Sequence, residues 1–385
     1  MFRSFSASYA GHVVDDNLGF EGTPANDRNY PNEQLAEAFD WALDFSRHLE
    51  SLGYDEFWMA EHHFQTEGYE CIPNLLMLSL YLASNTERLK YGCGFNITPM
   101  WHPLRLAEDF AMADILTKGR VIFGVGRGYH TREVETFAAP MLDGDANREL
   151  FEEQVEVLVK AFSQDSFSHE GKHYKFPADV PYRGYQLEEI SLVPRPISQP
   201  VEIWQPLVSG NPKGVDFMGR MGIRALIANT PEPALSERME MYQSGAAAHG
   251  RELALGEDTA LGYRFFIGDT KEKAIEEAKP YFEEAMKFAA PLNLMRLSQD
   301  QIDAVARPGR AKGVELPTLE EAVENKVWLC GPPEQIAEHL MSVEEKYPGV
   351  ERVNLGAVMG MPQEVFKDQL TKFAEGVFPL MQGKQ

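Results

Sequence analysis

Three short stretches concentrate the side chains that can do chemistry. Glu61-His62-His63-Phe64 sets a carboxylate beside two imidazoles. An imidazole gains and loses its proton near neutral pH, so a histidine in an open site serves as general acid or base. Glu61 next to it either orients the ring or holds the backbone. Two adjacent histidines are a poor zinc set, because catalytic zinc takes ligands at helical spacing or from separate strands. No matching carboxylate cluster accompanies them, and the expectation is no metal. The plain alternative is a pair of imidazoles satisfied as polar core.

The second stretch runs Val121-Ile122-Phe123-Gly124-Val125-Gly126-Arg127-Gly128-Tyr129-His130. Its apolar start reads as a buried strand. Its interleaved glycines let backbone N–H groups approach a ligand. Arg127 carries a permanent, fork-shaped charge suited to phosphate. A tight turn with a surface arginine is the other reading. The third stretch is Ser209-Gly210-Asn211-Pro212-Lys213-Gly214, with a capping residue at Asn211 and proline in the first helical position. Free N–H groups at such a helix start, with the Ser209 hydroxyl, make a seat for a phosphate. Alone, the same residues make an ordinary capped helix.

These stretches need elements to bring them together. Residues 3–9 alternate as a first strand. Residues 33–51 carry Leu35, Phe39, Ala42, Leu43, Phe45 and Leu49 at helical spacing, with Gly53 as the stop. A strand over 56–60, an apolar helix over 73–85, a strand over 89–98, a helix over 102–118, the strand from Val121 and a helix over 147–162 continue the alternation. The pattern breaks at 169–200, too rich in Gly and Pro for a helix, which reads as a short hairpin plus an extended segment. It resumes with strands over 201–208, 223–228, 260–267 and 352–358. Helices over 212–221, 233–249, 271–288, 333–346 and 363–381 go with them, and 289–325 is an irregular insertion.

About eight strands with as many helices is the tally of a TIM (β/α)8 barrel. The expectation is therefore one α/β domain over 1–385, with insertions at about 169–200 and 289–325. A doubly wound sheet would carry its nucleotide fingerprint on the first strand, and this chain does not. In a barrel all three stretches, and Gly94-Phe95-Asn96, fall at the C-terminal ends of strands, where active sites lie.

Composition narrows the field further. With 44% hydrophobic residues the chain is globular. A net charge of -23 repels nucleic acid and anionic lipid. No apolar run approaches the length of a membrane span, and the start lacks the pattern of an export signal. Three scattered cysteines, Cys71, Cys93 and Cys330, fit a reducing compartment. A cytoplasmic protein that binds neither nucleic acid nor membrane is expected. The second helix, with Leu75, Leu76, Leu78, Leu80, Tyr81 and Leu82, is apolar on more than one side, which suits a buried helix or a subunit contact; a homodimer is the expectation.

Glu61-His62-His63-Phe64, residues 98–109, Phe123 to Tyr129 and Trp328 to Ile336 together resemble the bacterial luciferase-like flavin monooxygenases, over nearly the whole chain. The resemblance implies a TIM barrel that binds reduced FMN or, in some branches, the deazaflavin F420. By matched position it implies that His62 is the catalytic histidine, with Glu61 its neighbour. It implies that Arg127 meets the flavin phosphate, with Ser209, Gly210 and Asn211 as the phosphate loop. Gly94, Phe95 and Asn96 fall where the family holds a non-proline cis peptide beneath the flavin ring. Light emission is not implied: Gly126 stands where the luciferase subunit has a reactive cysteine, and Pro212 where its phosphate loop has a threonine.

The implied activity is oxygenation of a small apolar substrate, bearing a carbonyl or heteroatom, by dioxygen and reduced FMN through a flavin C4a-peroxide. Water would discharge such an adduct, so the ring must be covered. Residues 15–32, 169–200 and 289–325 are the expected lids. His63, Phe64, Trp101 and Trp204 are the expected substrate pocket, and Tyr129 lies against the cofactor. The chain has no second nucleotide fingerprint, so reduced FMN would come from an NAD(P)H-dependent flavin reductase. The alternatives are an F420-dependent hydride-transfer oxidoreductase on the same barrel, a non-catalytic flavin-binding protein, and a metal-dependent barrel hydrolase.

Overall fold

Eight parallel strands close on themselves. They are β1 (Ser4–Tyr9), β2 (Glu56–Met59), β3 (Lys90–Cys93), β4 (Val121–Gly126), β5 (Ile203–Pro206), β6 (Arg224–Ala228), β7 (Thr259–Ile267) and β8 (Arg352–Gly356). Each pairs with the next, β8 pairs with β1, and the β4–β5 pairing completes the ring. The expected TIM barrel is what the computed structural model contains; it describes residues 2, 4–295, 297–307, 309 and 313–382. Helices α1 (Asn32–Leu52), α2 (Leu75–Ala83), α3 (Pro103–Thr117), α4 (Thr131–Thr136), α5 (Gly144–Ser163), α6 (Pro212–Met221), α7 (Ala234–Ala248) and α8 (Lys271–Ala289) follow the strands. Among the described residues no helix is long and apolar enough to cross a membrane.

Several boundaries differ from the sequence reading for physical reasons. The third strand stops at Cys93, and Asn96–Ile97 resumes the pairing against Val125 and Gly126. The Gly94–Phe95 peptide between them is cis, as the resemblance implied. Residues 169–200 form two small hairpins, not one: His169–Glu170 with Lys175–Phe176, and Pro181–Tyr182 with Tyr185–Gln186. The buried carboxylate of Asp114, on α3, ties this insertion down by accepting from the N–H and hydroxyl of Ser198. The insertion at 289–325, described except at 296, 308 and 310–312, contains α9 (Gln299–Val305) and α10 (Leu319–Glu324), each opened by a capping box.

Trp328–Gly331 is a further strand. It pairs with the second half of β7, beyond the point where β8 ends. Helix α11 (Pro333–Lys346) leads to β8, and the closing helix divides at Val377 into α12 (Gln363–Gly376) and α13 (Phe378–Gln382). Pro379 has no N–H to donate to the Glu375 carbonyl four residues back, which explains the division.

The barrel interior has two halves. At the N-terminal end the rings of Trp58 and Trp204 cross edge to face, 5.8 Å apart, among Ile122 and Ala260. Room for them comes from glycine. A Cβ on Gly92 would lie 2.1 Å from the Trp58 ring, and one on Gly124 only 1.8 Å from the Cys93 carbonyl oxygen. Below the indoles runs an ion-pair chain from Glu56 to Arg352, Glu202, Arg224, Asp258 and Arg251. The Arg352 guanidinium lies 4.8 Å over the Trp204 ring, a cation–π contact.

Trp204 is thus a correction. Expected in the substrate pocket, it is buried in the barrel plug, with its indole N–H on Glu202. Toward the C-terminal end, alternation along the strands turns Gly94, Gly126, Ala228, Gly262, Gly356 and Arg264 inward. All but the arginine are small, so the mouth is roomy where the lower half is full.

Candidate functional site

Four segments converge on the mouth of the barrel. The first is the run after β2. His62 is held there by its N–H on the Ile72 carbonyl, and its ring is buried. Nδ1 lies 3.2 Å from a carboxylate oxygen of Glu133, on α4. Nε2 lies 3.0 Å from the Tyr129 hydroxyl and 3.1 Å from Glu70. Tyr129 in turn donates to Glu70 at 2.9 Å. His130 Nε2 meets the other oxygen of Glu70 at 3.2 Å. The Gln65 amide bridges the two carboxylates, 3.1 Å from Glu70 and 3.0 Å from Glu133.

Burial alone would push the His62 imidazole down. The carboxylates of Glu70 and Glu133, with Glu61 behind, outweigh it and raise its pKa. Glu133 moves the other way: burial raises it, but its hydrogen bond and charge pairing with His62 bring it below the usual range. Burial and Glu70 push the Tyr129 phenol well up, so it is a donor at neutral pH. Arg264 reaches the same space from β7; burial lowers its pKa, against the pull of Glu70 and Tyr129.

Glu61 does not touch His62. Its buried carboxylate accepts from the Ile97 N–H at 2.8 Å and the Trp101 indole at 2.9 Å, and pairs with the His63 ring at 3.1 Å. Of the two roles expected for it, holding the backbone is the one observed. Trp101 and His63 are therefore fixed by Glu61. Phe64 is half-exposed and stacks on Phe137 at the rim. Asn96 is fully buried; its amide donates to the Gly124 carbonyl at 2.8 Å, and its Oδ1 has no partner.

The second cluster sets Arg127 and Arg148 among carboxylates, with Arg148 3.5 Å from Glu152. Arg127 leaves the end of β4 and donates to the Asn147 side chain and the Gly144 carbonyl, both at 2.8 Å. Burial and then the neighbouring Arg148 lower its pKa. Arg148, on α5, passes the start of α6, where its Nη1 would stand 3.6 Å from a Cβ on Gly214. Ser209, Gly210 and Asn211 are exposed there, and Asn211 caps the helix by accepting from the Lys213 N–H at 3.0 Å. Arg148 thus lies near both Arg127 and the start of α6.

The sequence profile of the luciferase-like monooxygenases matches residues 22–348. The chain belongs to that family. This luciferase-like chain is 25% identical over 364 residues to an FMNH(2)-dependent dimethylsulfone monooxygenase of Pseudomonas fluorescens (strain Pf0-1), covering 90% of each. Its barrel superposes on the oxygenating constituent of 3,6-diketocamphane monooxygenase from Pseudomonas putida with a TM-score of 0.72, at 18% identity and 98% coverage of both chains. It superposes on an F420-dependent secondary alcohol dehydrogenase with a TM-score of 0.67, at 16% identity, covering 99% of this chain and 100% of that one. Some matches are partial. The chain spans 47% of the oxygenase component of the trigonelline monooxygenase of Acinetobacter baylyi, at 25% identity, and only 35% of an uncharacterized Sinorhizobium fredii protein at 30%.

In this luciferase-like barrel the sequence reading found the histidine and the arginine but missed their partners. Glu70, Gln65, Glu133 and Arg148 carry no local signature, and His130, though it closes the second stretch, was given no role of its own. They come from a loop, a short helix and a surface helix that only the fold brings inward.

Proposed function

We propose that the chain is an FMN-dependent monooxygenase, the oxygenase half of a two-component system. The observation that carries this is the pairing of two clusters at the end of one strand. Arg127 opens a cationic seat, and two residues later Tyr129 enters the His62 cluster. A flavin fits between them. Its phosphate would meet Arg127, Arg148, the Ser209 hydroxyl and the free N–H groups of α6. Its ring would take the space left by Gly94, Gly126, Gly262 and Gly356, with Phe95 and the partnerless Asn96 oxygen beneath it. The space is tight where it matters, for a Cβ on Gly126 would come 3.2 Å from Phe95.

Bound reduced FMN would supply the electrons and the atom at which dioxygen is activated. The chain's residues would do the rest. Glu133 holds the Nδ1–H of His62, so that Nε2 faces the mouth and exchanges a proton with the reacting centre. Tyr129 keeps its proton and donates. The apolar rim of Phe64, Phe137 and Trp101 excludes water and favours a small apolar substrate. The dimethylsulfone relative is FMNH(2)-dependent and the Acinetobacter baylyi relative is an oxygenase component; both support reduced FMN delivered by an NAD(P)H-dependent flavin reductase. An oxygen electrode tests the reading, with reductase-generated FMNH2 and a panel of aldehydes, ketones and thioethers. Substrate-dependent oxygenated product is expected. None from any compound would sink it.

The likeness to the F420-dependent dehydrogenase supports a second reading, hydride transfer on the same barrel. Titrating FMN against F420 separates the two. A homodimer goes with either. Met77, Tyr81, Met112 and Leu116 stand exposed on α2 and α3, which pack side by side, an apolar face suited to a second copy. Light scattering should give twice the chain mass for the wild type, and half of that for a Tyr81→Glu, Leu116→Glu variant.

A further inference from the structure

We propose that His62, Glu70 and His130 form a binding site for a divalent transition cation of the zinc type. All three residues are buried, and their donor atoms lie within 4.8 Å of one another. They come from two connections, His62 and Glu70 from the one between β2 and α2 and His130 from the one between β4 and α4. Glu70 spans the two rings, with one oxygen 3.1 Å from His62 Nε2 and the other 3.2 Å from His130 Nε2. Donors around a tetrahedral ion at ~2.0–2.1 Å stand roughly 3.3 Å from each other. The carboxylate–imidazole spacings already meet that requirement; a cation has only to draw the two rings together. Two imidazoles and one carboxylate select zinc, cobalt or iron over magnesium or calcium.

A second observation lies behind the ring. Glu133 accepts from His62 Nδ1, and its other oxygen takes the His63 N–H at 3.0 Å. With Nδ1 committed, Nε2 is the nitrogen with a lone pair to give, the carboxylate–histidine–metal arrangement of known sites. Gln65 touches Glu70, Glu133 and His130, yet its Oε1 is buried without a partner. The Tyr129 hydroxyl, 3.0 Å from Nε2, supplies a fourth oxygen. Glu70 and Glu133 attract a cation and Arg264 opposes it, two charges against one. His63, the other half of the pair considered in the sequence, takes no part because its ring turns to Glu61.

An ion held there occupies the His62 lone pair and inhibits turnover; that clause alone rests on the oxygenase reading. The full chain, stripped with a chelator and dialysed, is titrated with Zn2+ by calorimetry and with Co2+ by absorption. One ion per chain is expected, with visible cobalt bands of tetrahedral type. Glu70→Gln and His130→Asn should each lose at least tenfold in affinity, with circular dichroism checking that both remain folded. Glu133→Gln, which alters a carboxylate behind the His62 ring and not a proposed ligand, should lose roughly 10–100-fold. No saturable binding, or binding that neither ligand variant alters, overturns the site. Saturable zinc in a chain without oxygenase activity upholds the site and counts against the oxygenase reading instead.

Discussion

Under the proposed function, replacing His62 by alanine removes the imidazole whose Nε2 meets Tyr129 and Glu70. The expected loss in turnover is roughly 10²–10⁴-fold, the usual worth of a general acid or base. FMN affinity, measured by fluorescence quenching, should stay near the wild-type value, because the phosphate seat lies elsewhere. Arg127→Ala and Arg148→Ala should do the opposite. Each loses a charge-assisted contact worth about 1.5–3 kcal/mol, so FMN binding weakens by roughly ten- to a hundredfold. Riboflavin, which lacks the phosphate, is the control and should bind the variants as it binds the wild type. Equal weakening of both ligands would move the phosphate away from these arginines. At this scale the sequence was half legible. His62 and Arg127 stand at strand ends, where periodicity predicts an active site. Glu70, His130 and Glu133 are 8 to 71 positions from His62 in the chain, and no local pattern announces a residue that acts by proximity.

The elements around the mouth are tied down by buried charge. Glu284, on α8, accepts from Arg28 at 2.6 Å, Lys287 at 2.9 Å, the Tyr69 hydroxyl at 2.8 Å and the Gly19 N–H at 3.1 Å. Residues 15–32 were expected as a lid. Here they are a fixed cover, pinned to α8 and further held by the Tyr30–Asp15 hydrogen bond. Glu284→Gln leaves Arg28 and Lys287 buried without their counter-charge, which costs about 3–5 kcal/mol. Hydrogen exchange should speed up in residues 15–32 well before it does in the barrel strands. Unchanged protection there would mean that apolar packing holds the cover. Strands and long helices were legible because their periods are strong. The break after Cys93, the second hairpin of 169–200 and the short α4 were not. They are set by one peptide geometry and by contacts with distant helices, which leave no period to read.

Barrel closure joins the ends of the chain, since β1 lies between β2 and β8. The ion-pair chain under the tryptophans links five strands in the same way, so the lower barrel should unfold as one unit. Acid acts on the molecule through buried histidine. His339, on α11, has its Nε2 without a hydrogen-bond partner. Burial, with Lys326 nearby, pushes its pKa down to about 4. A histidine that stays neutral when folded but charges when unfolded stabilises the fold fully above the unfolded pKa near 6.5. That contribution, at most about 3 kcal/mol, is lost as pH falls from there toward 4. Urea midpoints compared from pH 7 to 4.5 should show the wild type losing stability relative to His339→Phe as the pH drops. Parallel curves would clear His339 of any part in acid loss.

The paired indoles also settle traffic. With Trp58 and Trp204 stopping one end, a molecule bound for His62 would, under the proposed function, use the opposite end as its doorway, reactant and product alike. Bulk added at the doorway, for instance at Phe64, should slow release of the product as much as entry of the reactant.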